Sequence, residues 1–334
     1  MLLYLLVGLL PVLCFLGALV LLDSYRLIRF RTVLLLLLAG AVVAVASLFV
    51  NRWALHTWEL ETRILSRYVA PVVEELLKGA IAVTLIWRRR VGFLVDAAIA
   101  GFAIGAGFAT VENLHFLTVL DGPGLAVWMV RGFGTAIMHG GVTASLAILT
   151  KALADQAGEI APGVLLPGWI LAVVLHSAFN HFILAPDLST LILLVAFPLI
   201  FFQVFRISEE RTREWLGTGF DTDAELLKMI QSGRVSESPV GRYLESLKTH
   251  FEPTVVADML CLLRLRLELS IRAKGILILQ KAGGRPPPDP EVEEKFRELE
   301  YLEETIGKTG LAALHPILHF SDRDLWQYHL LATR

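Results

Sequence analysis

The chain has 334 residues, of which 55% are hydrophobic and only 19% are charged. Soluble domains carry about 25% charged residues, so this composition excludes an ordinary soluble protein and indicates a polytopic membrane protein. The net charge is −2 and no basic patch with interleaved aromatic residues occurs, so nucleic acid is not an expected partner. Cys14 and Cys261 lie far apart, and neither a disulfide framework nor a cysteine-based zinc site is expected.

Seven apolar runs are each about long enough to cross a bilayer as a helix. They cover residues 2–22, 33–50, 69–87, 92–117, 125–150, 164–184 and 188–205. The predicted fold is therefore all-α, with a transmembrane helix bundle of about seven spans in residues 1–206. Residues 207–334 are rich in Glu, Arg, Lys and Leu with helical periodicity, which predicts a separate helical domain of unknown role.

The loop charges predict the orientation of the bundle. Arginine-rich connections alternate along the chain with loops whose charges are acidic; the arginine-rich ones are 23–32, 88–91 and the segment after 205. The positive-inside rule then places the N-terminus outside the cell membrane and the C-terminal domain in the cytoplasm. A cytoplasmic partner or self-association through 207–334 would follow from that placement.

Segment 51–68 lies outside on this topology. It has mixed charges together with Trp53 and Trp58, a composition typical of a helix that lies in the membrane interface. We therefore expect an interfacial helix on the outer surface.

Four of the spans contain polar residues that hydrocarbon does not tolerate without a partner, and such residues mark functional sites by default. They are Glu74, Glu75 and Lys78 in the third span, Glu112 and Asn113 in the fourth, Arg131 and His139 in the fifth, and His176 and Asn180 in the sixth. At 1.5 Å per residue, Glu74 and Glu75 lie about 8–10 Å below the outer end of their helix. Glu112, His176 and Asn180 fall at a similar depth, which predicts one site in the outer half of the bundle.

Helical spacing suggests two further contacts. Glu74 and Lys78 are four residues apart and could form an ion pair within their helix. A purely structural ion pair is the alternative to a functional role for these two residues. Glycines and alanines of residues 101–109 permit close approach of a neighbouring helix, or of a substrate segment.

Converging glutamates and histidines suit the activation of water for hydrolysis. One glutamate with two histidines is also the ligand set of a catalytic zinc ion that keeps one position open. Asn180 could donate to an oxyanion or support another residue of the site. The alternatives from these residues are a proton-coupled transporter, since buried Glu and His also form proton relays, and a membrane sensor that signals through its cytoplasmic domain.

The motifs themselves resemble those of a known family. Glu74-Glu75-x-x-Lys78, Gly107-Phe108-Ala109-x-x-Glu112-Asn113, Arg131…His139 and His176-x-x-x-Asn180 are similar to the four motifs of the PrsW family of intramembrane proteases. This family belongs to the wider superfamily of CAAX proteases and bacteriocin-processing enzymes. The similarity covers about residues 65–185.

The resemblance implies an endopeptidase that makes the first cut in a single-pass membrane protein of the anti-sigma-factor type. It implies Glu75 or Glu74 as the base that activates water, His139 and His176 as ligands or proton partners, and Asn180 as the group that polarises the scissile carbonyl. If a metal such as Zn²⁺ is bound, the expected ligands are Glu75, Glu112, His139 and His176. A metal-independent mechanism with glutamate alone is equally compatible with these residues.

Overall fold

The computed structural model describes residues 1–122, 124–157, 162–284, 289–317, 326–328 and 330–331. Every regular element in these ranges is helical, which confirms the all-α prediction. The chain divides into two compact units, Met1–Ser208 and Glu209–Arg334.

The first unit is built from long helices joined by short connections. In chain order these are α1 (Leu2–Leu22), α2 (Phe30–Thr57), the single turn α3 (Thr62–Ile64), α4 (Ala70–Trp87), α5 (Leu94–Val119), the short α6 (Leu125–Met129), α7 (Ala136–Ala157), α8 (Pro162–Asn180) and α9 (Pro186–Gln231), which continues past Ser208. Two π-helical turns, Leu65–Val69 and Val130–Thr135, lead directly into α4 and α7. Such turns often occur at functional sites.

Six helical segments of the described chain are long and apolar enough to cross a membrane. They are α1, α2, α5, the continuous segment of α6 and α7, α8, and α9. The third predicted span, 69–87, is not among these six. It corresponds to α4, an 18-residue helix that carries three ionisable residues, Glu74, Glu75 and Lys78. The chain is a multi-pass helical membrane protein, as the sequence predicted.

The structure corrects the prediction of an interfacial helix at 51–68. Residues 51–57 are the last two turns of α2, where Asn51 and Ala54 are buried. Only a short turn separates Thr57 from α3, and the chain then continues through the π-helical turn into α4. The prediction was wrong at 51–57 because Arg52 and Trp53 lie exposed on one side of α2, while Asn51 and Ala54 on its other side are buried.

Helix α5 is the central helix, and its small residues let two neighbours approach it closely. A Cβ atom at Gly105 would lie 2.2 Å from the carbonyl oxygen of His139 on α7. A Cβ atom at Gly107 would lie 2.0 Å from the carbonyl oxygen of Leu37 on α2. The predicted close helix packing is therefore present, but α7 and α2 occupy this face, so the idea that a substrate segment lies there was wrong.

This packing predicts a position-specific cost for added volume. Gly107→Ala is expected to destabilise the bundle by about 1–3 kcal/mol, because the methyl group forces α2 and α5 apart. Gly17→Ala in α1 is the matched control, since a Cβ atom there meets nothing within 4 Å. Thermal unfolding of the purified variants in detergent measures the difference, and equal melting temperatures would contradict the packing described.

The second unit has its own hydrophobic core. After the single 3₁₀ turn Val235–Glu237, it contains α10 (Pro239–Leu247), α11 (Pro253–Lys281) and α12 (Glu291–Leu314). Met259, Leu262 and Leu269 of α11 are fully buried in this core. Helix α11 therefore supplies much of the hydrophobic core of this unit. The cytoplasmic location of this unit and its role stay predictions.

Candidate active site

The structure brings most of the predicted site residues together near one end of the first unit. Glu74 and Glu75 lie in the second turn of α4, Glu112 lies two turns before the end of α5, and His176 lies one turn before the end of α8. His139 lies in the first turn of α7. Four separate helices thus supply the ionisable side chains of one cluster.

Glu75 is held by two donors. Its Oε1 atom accepts hydrogen bonds from Nζ of Lys78 at 2.6 Å and from Nδ1 of His176 at 2.7 Å. Glu75 and Lys78 are fully buried, and His176 is 2% exposed. The Nδ1–H of His176 is used on Glu75, so the imidazole keeps its Nε2 lone pair for another partner.

The predicted ion pair between Glu74 and Lys78 was wrong. Lys78 pairs with Glu75, three residues before it, and Glu74 instead accepts a hydrogen bond from Nδ2 of Asn51 at 3.1 Å. Spacings of three and four residues are both compatible with a contact on a helix. The neighbours decide between them, because Asn51 on α2 faces Glu74 whereas His139 on α7 lies beside Lys78.

His139 lies at the centre of the cluster and is fully buried. Its Nδ1 is 3.1 Å from Nζ of Lys78, and its Nε2 is 3.3 Å from Oε2 of Glu112 without the angle of a hydrogen bond. Its ring packs against the rings of Phe108 and His176, with centroids 4.9 and 4.8 Å away. The imidazole is thus fixed on all sides, with Nε2 directed into the cluster.

Arg131 links Glu112 to Asn113, which in turn is bonded to α1. Its Nη2 donates to Oε2 of Glu112 at 3.1 Å, and its Nε donates to Oδ1 of Asn113 at 2.9 Å. Its guanidinium lies 3.7 Å from the ring centroid of Phe116, and Nδ2 of Asn113 donates to the carbonyl oxygen of Gly8 at 2.7 Å. The predicted supporting residues Arg131 and Asn113 therefore fix Glu112 and anchor it to α1.

Asn180 is placed differently from the other predicted residues. Its Nδ2 donates to the carbonyl oxygen of Ser66 at 2.8 Å, and the hydroxyl of Ser177 donates to the carbonyl oxygen of Arg67 at 2.6 Å. Both acceptors belong to the π-helical turn that leads into α4. The end of α8 thus fastens the turn that precedes Glu74, and a role of Asn180 on a scissile carbonyl stays a prediction.

Asn51 is the site residue that the sequence analysis missed. The predicted topology ended the second span at residue 50, which placed Asn51 outside the membrane. The spacing of Ser47 and Asn51, four residues apart in an otherwise apolar helix, is a signal that could have found it.

Three of these residues form a group that could hold a metal ion. One donor atom from each of Glu74, His139 and His176 lies within 4.8 Å of the other two. Oε2 of Glu74 and Nε2 of His139 are both buried and have no hydrogen-bond partner among the described residues, as expected of atoms whose partner is an ion. The donor set matches that of a catalytic zinc ion with an open position.

The two histidines differ in how well their other contacts suit the role of a zinc ligand. The bond from His176 to Glu75 is the carboxylate–histidine arrangement usual behind a metal ligand. Nδ1 of His139 instead lies 3.1 Å from Nζ of Lys78, which donates to Glu75, so its neighbour is a donor rather than the acceptor that is usual behind a metal ligand. The group differs from the predicted ligand set in two ways. Glu74 takes the place of Glu75, and Glu112 lies next to His139 but is not one of the three residues of the group.

The first unit is a multi-pass helical bundle, and its buried cluster of carboxylates and imidazoles contains a candidate metal group, an arrangement that suits a membrane-embedded hydrolase. Residues 29–205, just over half of the chain, match the family model described as PrsW family intramembrane metalloprotease. The chain belongs to this family, and it is an intramembrane protease, which confirms the resemblance found in the sequence. Comparisons with curated proteins and with solved structures give no match.

Proposed function

We propose that this protease is an endopeptidase that cleaves a single-pass membrane protein near the outer surface of the cell membrane, with zinc as its metal. The observation that supports this most directly is the buried group of Glu74, His139 and His176, in which one possible ligand atom of each residue lies within 4.8 Å of the other two. Glu74, His139 and His176 would hold the ion, and zinc there would supply a Lewis acid that polarises the scissile carbonyl.

The remaining residues have distinct roles in this proposal. Glu75 orients His176 through the 2.7 Å bond to Nδ1. Glu112 is the general base, because its side chain is 20% exposed to solvent, whereas that of Glu75 is completely buried and its Oε1 accepts the hydrogen bonds of Lys78 and His176. Arg131 holds the carboxylate of Glu112 in position beside His139. The alternative from the resemblance, with Glu75 or Glu74 as the base, is separated from this one by the variants discussed below.

The substrate and orientation are part of the same proposal. The arginine-rich connections support an N-terminus outside the cell membrane and a C-terminal unit in the cytoplasm. The site then lies in the outer half of the bundle, where it meets the outer part of a single-pass protein. A membrane-anchored anti-sigma-factor type of protein is the substrate class that the family resemblance favours.

Metal removal tests the proposal. Purified protein in liposomes is expected to cleave a co-reconstituted single-pass substrate, to contain about one zinc ion per chain, and to lose cleavage after treatment with a strong zinc chelator. Added Zn²⁺ should restore cleavage, because the donor atoms of the site remain in place.

The outcomes separate the two mechanisms. Full cleavage by protein that elemental analysis shows to be free of metal would overturn the zinc mechanism and favour glutamate alone. Transport of a solute with no cleavage of any membrane substrate would instead favour the transporter alternative. Reporter fusions at the two termini test the orientation, and a cytoplasmic N-terminus would contradict it.

A further inference from the structure

Asn51 is a buried polar residue whose position in the fold calls for an explanation. It lies six residues before the end of α2 and is 9% exposed. Its Oδ1 atom is buried and accepts no hydrogen bond from any residue in the described part of the chain. A buried acceptor without a partner costs stability, on the order of 1–3 kcal/mol, so an apolar residue of the same size would be the more stable choice here.

The side-chain amide nitrogen of Asn51 has a specific contact. Nδ2 of Asn51 donates to Oε1 of Glu74 at 3.1 Å, across the interface between α2 and α4. This bond fixes the rotation of the Glu74 carboxylate. The other oxygen, Oε2, is then directed towards His176, with its Nε2 atom 3.9 Å away, and is itself buried without a partner.

We propose that Asn51 is a positioning residue that holds Glu74 in the orientation of a metal ligand. The inference rests on the proposed function, in which Glu74, His139 and His176 hold the metal. Residues that hydrogen-bond to a metal ligand orient it, and their loss typically weakens metal binding about 10–100-fold. Asn51 does this from α2, a helix that contributes no other residue to the cluster among those described above.

The test compares Asn51→Leu with the wild-type chain in detergent. Leucine has a similar size but no donor, so the Glu74 carboxylate is free to rotate. We expect zinc affinity, measured by competition with a chromophoric chelator, to fall about 10–100-fold. The kcat at limiting zinc should fall and recover with excess zinc, while KM for the membrane substrate stays unchanged.

Two further variants make the result specific. Asn51→Ala repeats the loss of the donor in case leucine prevents folding, and it is expected to weaken zinc binding in the same way. Ser47→Ala is the matched control, since Ser47 is one turn earlier on α2, is also buried, and donates to the carbonyl oxygen of Ala44 in its own helix. It is expected to leave zinc affinity unchanged.

The contrary outcomes are distinct. Wild-type zinc affinity in both Asn51 variants would overturn the inference while the proposed function stands. An equal loss in Ser47→Ala would also overturn it, because the effect would then come from the packing of α2. A wild-type protein that cleaves its substrate but binds no zinc would remove the metal from the proposed function and the inference with it.

Discussion

His176→Ala is expected to abolish cleavage and to remove the bound zinc, while the chain still folds and inserts. His176 is both a proposed ligand through Nε2 and the donor that, with Lys78, holds Glu75. Loss of a direct ligand should weaken zinc binding by more than the roughly 100-fold that marks the upper end for supporting residues. Cleavage by the variant should therefore fall to the background rate wherever the zinc concentration is too low to saturate its weakened metal site.

His181→Ala is the matched control for this prediction. His181 follows the end of α8, and its Nδ1 is 2.7 Å from the carbonyl oxygen of Ser177. Its ring packs against Tyr68, away from the carboxylates. The variant is expected to retain both zinc and cleavage. Zinc content by elemental analysis and cleavage in liposomes report on both variants, and a His176→Ala protein that cleaves at the wild-type rate would exclude His176 from the site.

Glu112→Gln is expected to lower kcat by about 10²–10⁴-fold, the usual contribution of a general base, while the protein keeps its zinc. Glutamine has the same shape, and its amide oxygen can still accept the hydrogen bond from Arg131. It cannot, however, take a proton from water at neutral pH. Single-turnover cleavage with saturating substrate, together with zinc content, measures the two effects separately.

The two glutamates of α4 give the contrast for this variant. Glu74→Gln should lose zinc along with cleavage, because a neutral amide is a weak ligand for the ion. Glu75→Gln should weaken zinc binding only in the range of a supporting residue. If Glu75→Gln instead keeps its zinc and loses cleavage while Glu112→Gln stays active, the base is Glu75, as the resemblance implied. An inactive variant that keeps its zinc is also the natural trap for co-purifying the substrate.

Much of the fold could be predicted from the sequence because the bilayer restricts which segments can cross it. A helix that crosses a bilayer needs about 20 apolar residues in succession, and backbone groups in hydrocarbon must be satisfied within the helix. The runs at 2–22 and 92–117 therefore predict α1 and α5 to within a few residues. The prediction failed at 51–57, because α2 extends beyond its apolar run on a face that is buried by protein rather than lipid.

The site was also partly readable, because ionisable side chains inside a membrane are costly enough to stand out singly. Their order on successive antiparallel spans placed Glu74, Glu112 and His176 at one depth before any contact was known. The motif resemblance then supplied the family, which the match over residues 29–205 confirms.

By itself, then, the sequence determined a helical membrane protease and the residue types of its site. Only the tertiary structure decided which atoms meet. In the structure, Lys78 pairs with Glu75 instead of Glu74, and Asn51 of α2 donates a hydrogen bond to Glu74. Asn180 donates a hydrogen bond to the turn that leads into α4. The physical reason is that a helix turn offers each side chain several neighbours within reach. The side chains of other helices decide which of these neighbours is contacted. Such a side chain can be distant in the sequence, as His176 is 101 residues from its partner Glu75.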